Sequence, residues 1–101
     1  MLRFRFSSSR LERLYTEERG AQRYPPEVVE AFVDVIATID SAVDERDLRA
    51  LKHLHFEKLK GKRRHQRSLR LHGGFRLVVQ LVKEDEDVLV LVEEIEDYHC
   101  G

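Results

Sequence analysis

Gln66-Arg67-Ser68-Leu69-Arg70-Leu71-His72-Gly73-Gly74-Phe75-Arg76-Leu77-Val78-Val79-Gln80-Leu81-Val82 is the stretch that decides the fold. Two runs rich in Leu and Val, Gln66–Leu71 and Phe75–Val82, flank His72-Gly73-Gly74. Strand-like runs joined by a short glycine-containing segment read as a β-hairpin. With Leu69 and Leu71 on one face with Leu77 and Val79, His72 falls opposite Arg76. A strict two-residue turn would set Leu71 there instead. The first register is expected, because a slip of one residue turns every apolar side chain to water.

Outward from the hairpin the pattern stays extended. Lys83–Asp87 is a polar turn, and Val88-Leu89-Val90-Leu91-Val92-Glu93-Glu94-Ile95-Glu96-Asp97-Tyr98-His99 reads as a last strand that delivers Asp, Tyr and His to its carboxyl end. Upstream, His55–Leu59 reads as a short strand, and a turn or helix is expected around Asp47–Leu51. Leu2, Phe4 and Phe6 alternate with Arg3 and Arg5, the pattern of a half-buried strand. Between these strands the period changes. Ser9-Arg10-Leu11-Glu12 has capping-box spacing, and Leu11, Leu14 and Tyr15 follow at helical offsets, with an end expected near Gly20. Pro25-Pro26 suits a helix start, since a first-turn Pro lacks only an N–H the helix does not use. Val29, Phe32, Val33, Ile36 and Ile39 then form one apolar stripe. The order predicts an α+β fold: an antiparallel sheet with an N-terminal helical hairpin packed on one face.

The length, 101 residues, suits one domain, 1–101, with a modest core. A formal net charge of −1 conceals segregation. Residues 27–47 hold seven acids and one Arg, and residues 84–97 hold eight acids and no base. Between them, Lys52 to Arg76 carries nine Lys and Arg against the single acid Glu57. The local field therefore says more than the sum. The acidic runs read as solvated faces, and the basic run as a polyanion site. The one cysteine, Cys100, forms no internal disulfide and fits a reducing compartment. Met1–Phe6 is too short and too Arg-rich for a signal peptide. No apolar run approaches the roughly 18 residues of a membrane span. A cytoplasmic protein with no membrane partner is expected.

The basic set comprises Lys58, Lys60, Lys62, Arg63, Arg64, Arg67, Arg70 and Arg76, with Lys62-Arg63-Arg64 in a loop and fully available. Such density suits phosphate backbones through charge pairing and counterion release, and equally suits an acidic protein segment. Phe56, Phe75 and Tyr98 are available to stack on unpaired bases. The closing Asp97-Tyr98-His99 adds proton chemistry. RNA cleavage through the 2′-hydroxyl needs a base, an acid for the leaving 5′-oxygen, and cations for the phosphate. Histidine, with a reference pKa of roughly 6.5, serves as either acid or base. A Tyr-His pair taken alone also fits a purely structural end to a strand. The five histidines show no zinc spacing with Cys or acid, and no cofactor loop or nucleophile motif is present, so neither metal nor cofactor is expected.

Leu59-Lys60-Gly61, Ser68-Leu69-Arg70-Leu71, Gly73-Gly74-Phe75-Arg76-Leu77 and the closing Asp97-Tyr98-His99 together resemble the HigB toxins of the RelE/ParE superfamily. The resemblance spans nearly the whole chain, and its specific part is roughly residues 57–99. It implies a RelE-like microbial RNase fold and ribosome-dependent, metal-independent cleavage of mRNA. It also implies a cognate antitoxin, HigA-like and of helix-turn-helix type, through which alone the toxin would meet operator DNA. Its functional positions fall on Lys60, Arg76, Asp97, Tyr98 and His99. Glu57 stands where well-studied members carry His, either as a general base or as a salt-bridge partner that positions Lys60; the second role is expected. Arg67 stands at a position often held by Trp, and Phe75 is the hairpin aromatic. Two other readings stay open: a ParE-like toxin that binds gyrase and cuts nothing, and a degenerate homologue limited to antitoxin and promoter binding.

Overall fold

A computed structural model describes residues 2–97; Tyr98, His99 and Cys100, singled out above, lie outside the described residues. The chain runs β1 (Arg3–Phe6), α1 (Ser9–Glu17), α2 (Pro26–Ser41), α3 (Glu45–Ala50), β2 (Glu57–Lys58), β3 (Gln66–Arg70), β4 (Phe75–Glu84) and β5 (Asp87–Asp97). Short 3₁₀ turns at Ala21–Arg23, Lys52–Leu54 and Gly61–Arg63 link them. The sheet order is β1-β5-β4-β3-β2. β2 to β5 are antiparallel, and β1 joins the outer edge of β5 in parallel. That parallel edge strand is an addition to the all-antiparallel sheet expected. It can form because three helices, not a tight turn, carry the chain from β1 to the rest of the sheet.

The helices pack as expected in outline, with differences in detail. Ser8, not Ser9, occupies the start of α1, and no side chain caps it, so the capping box does not form. α1 stops at Glu17 because Glu18 turns left-handed at φ 55° and Arg19 N–H reaches back to Arg13 O at 3.2 Å. α2 starts at Pro26 as read. Its buried residues are Val28, Phe32, Val35, Ile36 and Ile39, while Val29 and Val33 are half-buried. The inward stripe is thus rotated from the one predicted, leaving an apolar strip on the helix flank. Phe6, Tyr15 and Phe32 meet at centroid distances of 5.7–6.4 Å and join β1, α1 and α2. α3 is capped by Asp44, whose carboxylate accepts from Arg46 N–H at 2.8 Å.

The hairpin register differs from both alternatives weighed. Leu69 opposes Leu77 and Arg70 opposes Arg76. The face assignment holds, since both leucines are fully buried, but the loop lies one residue earlier than expected. Gly73 adopts φ 63°, which lets His72-Gly73-Gly74 form a three-residue loop closed by Leu71 N–H to Phe75 O at 3.0 Å. The predicted strand His55–Leu59 shrinks to Glu57–Lys58, because His55 is left-handed (φ 46°) and breaks the extension.

One irregularity organises the sheet. Val78 pairs with Glu94 while Val79 pairs with Val92, so Glu93 is an extra residue on β5. Without the bulge, Val90 and Val92 would share a face with Glu94 and Glu96. With it, Val90, Val92 and Ile95 all enter the core, and Glu94 and Glu96 turn to the face without helices. Deleting Glu93 should leave a regular strand with Val90, Val92 and Ile95 still on the core face, so that variant should melt cooperatively, as should Glu93→Ala, which keeps the bulge. Deleting Glu93 and Glu94 together should instead reverse the phase, expel Ile95 and turn Glu96 inward, with loss of the cooperative thermal transition.

Candidate active site

Strand alternation assigns the helix-free face of the sheet. Reading across it, one rung carries Glu57, Ser68, Val78 and Glu94, and the next carries Arg70, Arg76 and Glu96. Arg70 and Arg76 are direct cross-strand partners. Like charges so placed repel by a few tenths of a kcal/mol or more, and the sheet gains nothing from the pair itself. Two clefts open here. One, of about 280 Å³, is lined by His55, Glu57, Ser68, Arg70, Phe75 and Arg76 among others. The other, of about 390 Å³, is lined by Glu57, Lys58, Leu59, Lys60, Arg63 and Arg76. Glu57 and Arg76 belong to both, so the clefts adjoin across them.

An ionic network borders the second cleft. Glu96 accepts from Arg76 Nε at 3.1 Å and from Arg63 Nη2 at 2.8 Å. Arg63 also donates to Gln66 at 2.8 Å and lies 3.5 Å from Glu94, and Gln66 donates to Glu93 at 3.2 Å. The Arg63 hydrogen bonds, then those of Arg76, hold the Glu96 carboxyl down at about 2 against the opposing effect of burial. Glu94 shifts the other way, raised first by burial and then by its neighbour Glu96. Arg63 is held more firmly protonated by Glu96.

The sequence-predicted residues divide accordingly. Arg76, Lys60, Glu57, Lys58 and Arg70 are brought together around the clefts. Lys62 and Arg64 are exposed in the adjoining loop. Arg63 is not available as read: its guanidinium is committed to Glu96 and Gln66. Arg67 opposes Val79 on the helix-side face and donates to the carbonyls of Arg64 and Gln66, so it does not converge with Arg70. Among the described residues Glu57 makes no ion pair, and the expected bridge to Lys60 is not formed. Phe56 lies under the Arg49 guanidinium at 5.6 Å, and Phe75 sets its ring edge-on to Tyr24 at 6.3 Å. Both aromatics pack partly against the core, where stacking platforms were expected. Asp97 pairs with Phe75 at the end of β5, beside the Arg76–Glu96 rung. His55 was missed as a member of this constellation, because its left-handed turn into the cleft has no signature in a single sequence. Among the described residues no group of three or more His, Cys, Asp and Glu is placed to hold a metal.

A helical hairpin on a five-stranded sheet whose open face carries converging cations is the architecture of the RelE/ParE toxins. A solved structure, the YoeB/ParE toxin from Agrobacterium tumefaciens, shares the fold: TM-score 0.58 and 17% identity over 96% of this chain and 99% of that one. No curated protein matches in sequence. Over residues 4–99 the chain matches the model of the HigB-like toxin family, described as the RelE-like toxin of type II toxin–antitoxin system HigB, and it belongs to that family. It is the toxin of a type II module, with the ribosome-dependent mRNA endonuclease activity of the HigB type. Among the described residues no helix is long and apolar enough to cross a membrane.

The two glutamates give opposite pH behaviour. Glu96, whose folded value is depressed, contributes stability that is present above the ordinary carboxylate range and lost as pH falls toward about 2. Glu94, whose value is raised, opposes folding when ionised and is relieved by acid. Glu96→Gln should therefore cost about 1–2 kcal/mol near neutrality, the difference closing as pH falls below the ordinary glutamate range. Glu94→Gln should be neutral or stabilising. Urea unfolding of both variants across that pH range checks the signs.

Proposed function

We propose that the helix-free face of the sheet is the RNA-cleaving surface, and that Arg70, Arg76 and Lys60 receive the phosphate backbone at the scissile step. The observation that carries this reading is the opposed Arg70–Arg76 pair in the cleft with Glu57. An anion is the natural counterpart of two arginines paired across neighbouring strands, and the planar fork of Arg70 suits phosphate. Arg70 is exposed, and among the described residues it has no carboxylate partner.

In this reading the 2′-oxygen attacks the adjacent phosphorus while Arg76 and Lys60 take up the growing charge. Tyr98 and His99 exchange the protons, and Asp97 orients His99 or steadies a neighbouring cation. The cationic groups hold a phosphate but do not by themselves align a flexible strand for in-line attack, so the ribosome supplies that alignment. Lys58, Lys62 and Arg64 extend the basic surface for ribosomal RNA. The partner is a cognate antitoxin of helix-turn-helix type, and operator DNA is met only through it. The site of action is the cytoplasm. A groove of about 680 Å³ along α2 and the turn before it suits an antitoxin segment. Its floor is Ala21, Tyr24, Val29 and Val33, and its rim is Glu18, Glu30 and Asp34. That chemistry fits an apolar side chain flanked by Lys or Arg.

The test is cleavage by purified protein of mRNA on programmed ribosomes, with free mRNA as comparison. Ribosome-bound message should be cut and free message left largely intact; efficient cutting of free RNA overturns the reading. Arg76→Ala should lower the cutting rate by about 10²-fold or more, with Arg76→Lys recovering only part. Tyr98→Phe and His99→Ala should abolish toxicity in cells while the protein still binds antitoxin. Glu30→Lys with Asp34→Lys should weaken antitoxin binding and leave cutting unchanged. Calorimetric titration with antitoxin checks the last pair.

A further inference from the structure

Glu96 is the direct cross-strand partner of Arg76, and opposite charges so placed attract. Left to themselves the two would close a fork on both carboxylate oxygens, the stronger form of such a pair. They do not. Arg76 donates through Nε and Nη2 to Oε1 alone. The fork is made by Arg63, whose Nη1 reaches Oε1 at 3.2 Å and whose Nη2 reaches Oε2 at 2.8 Å. Arg63 is itself held in place. Its Nε donates to Gln66 at 2.8 Å, and Gln66 donates on to Glu93, the extra residue of the bulge. Glu94 lies 3.5 Å from its Nη2 on the same face. A residue of the loop before β3 thus takes the second oxygen of a carboxylate that β4 and β5 alone would have given to Arg76. The Arg76 side chain is only 16% exposed, so water screens little of this sharing of charge.

We propose that Arg63 is a positioning residue that lets Arg76 exchange its carboxylate for phosphate, by keeping Glu96 in the Arg63 fork. The inference rests on the endonuclease reading and adds a residue to its site. Arg63 touches no substrate in this role, since its guanidinium is engaged by Glu96, Gln66 and Glu94. A phosphate entering the cleft must displace Oε1 from the Nε–Nη2 edge of Arg76. With Arg63 in place, Glu96 stays paired to a second cation, and the displacement leaves no uncompensated half-buried charge. Without Arg63, Glu96 has Arg76 alone to neutralise it, and Glu94 beside it adds a second negative charge. The carboxylates then compete with phosphate for Arg76, and the cleft takes up the RNA backbone less well.

The experiment compares wild type, Arg63→Gln, Glu96→Gln and the double variant, because coupled neighbours reveal themselves by non-additivity. Single-turnover cutting of mRNA on programmed ribosomes is measured over a range of toxin concentrations, at a temperature where all the variants are folded. Arg63→Gln should raise the concentration for half-maximal cutting about 10-fold. In the Glu96→Gln background, where no carboxylate competes at that position, the same substitution should change it by less than about 2-fold. Arg63→Lys lacks the fork and should fall between wild type and Arg63→Gln. Affinity for a short 2′-deoxy oligonucleotide, read by fluorescence anisotropy, should follow the same pattern and needs no cutting. An unchanged Arg63→Gln overturns the assignment. So does an equal loss in the Glu96→Gln background, which would make Arg63 a direct RNA contact. If wild type leaves ribosome-bound mRNA intact, the endonuclease reading falls, and the oligonucleotide affinities alone decide whether Arg63 governs Arg76.

Discussion

The extra residue at Glu93 is the constraint from which the make-up of both sheet faces follows. A strand alternates its side chains with a period of two, and β5 must supply Val90, Val92 and Ile95 to one core. Those positions cannot share a face unless the count is broken once between Val92 and Ile95. The bulge breaks it, and the same step sends Glu94 and Glu96 to the helix-free face. Core packing and site electrostatics are thus set by one backbone feature. The hydrophobic requirement enforces it, since burying two carboxylates in place of Ile95 costs far more than one irregular ladder rung.

Glu96 then links two parts of the chain that are distant in sequence. It holds Arg76 from β4 and Arg63 from the loop before β3. Arg63 and Arg76 share that carboxylate, and Arg63 also meets Glu94. Arg70, one strand further on, adds a cation with no carboxylate partner among the described residues. The network positions Arg76 and fixes the wall of the second cleft, while leaving Glu57 and Lys60 at its mouth. Glu96 engages the Nε and one terminal nitrogen of Arg76, and that contact orients its guanidinium.

The charge segregation in the chain becomes a division between sides of the molecule. The acids of 27–47 include those along the flank of α2, where Glu30 and Asp34 rim an apolar groove. The bases of 52–76 gather at the β2–β4 end of the sheet. A small protein that must meet both a polyanionic machine and a neutralising protein partner can separate the two fields in this way, so that attraction to one does not compete with docking of the other.

Much of this was legible in the residues themselves. Period-two runs around Gly73-Gly74, the Pro26 start of α2 and the closing strand were all readable, because local backbone preferences and amphipathic period are properties of neighbouring residues. The basic run of 52–76 was readable from composition, and the family resemblance pointed to Arg76, Lys60 and Glu57, which the fold brings to the same clefts. Register, face and partnership were not. The hairpin loop shifted by one residue, Arg63 proved committed to a carboxylate 33 positions away, Arg67 turned to the opposite face, and His55 turned into the cleft. Each depends on how strands pair across the sheet or on a left-handed residue pinned by distant packing. A linear chain carries those long-range choices only as the sum of many small contacts, which the tertiary structure alone resolves.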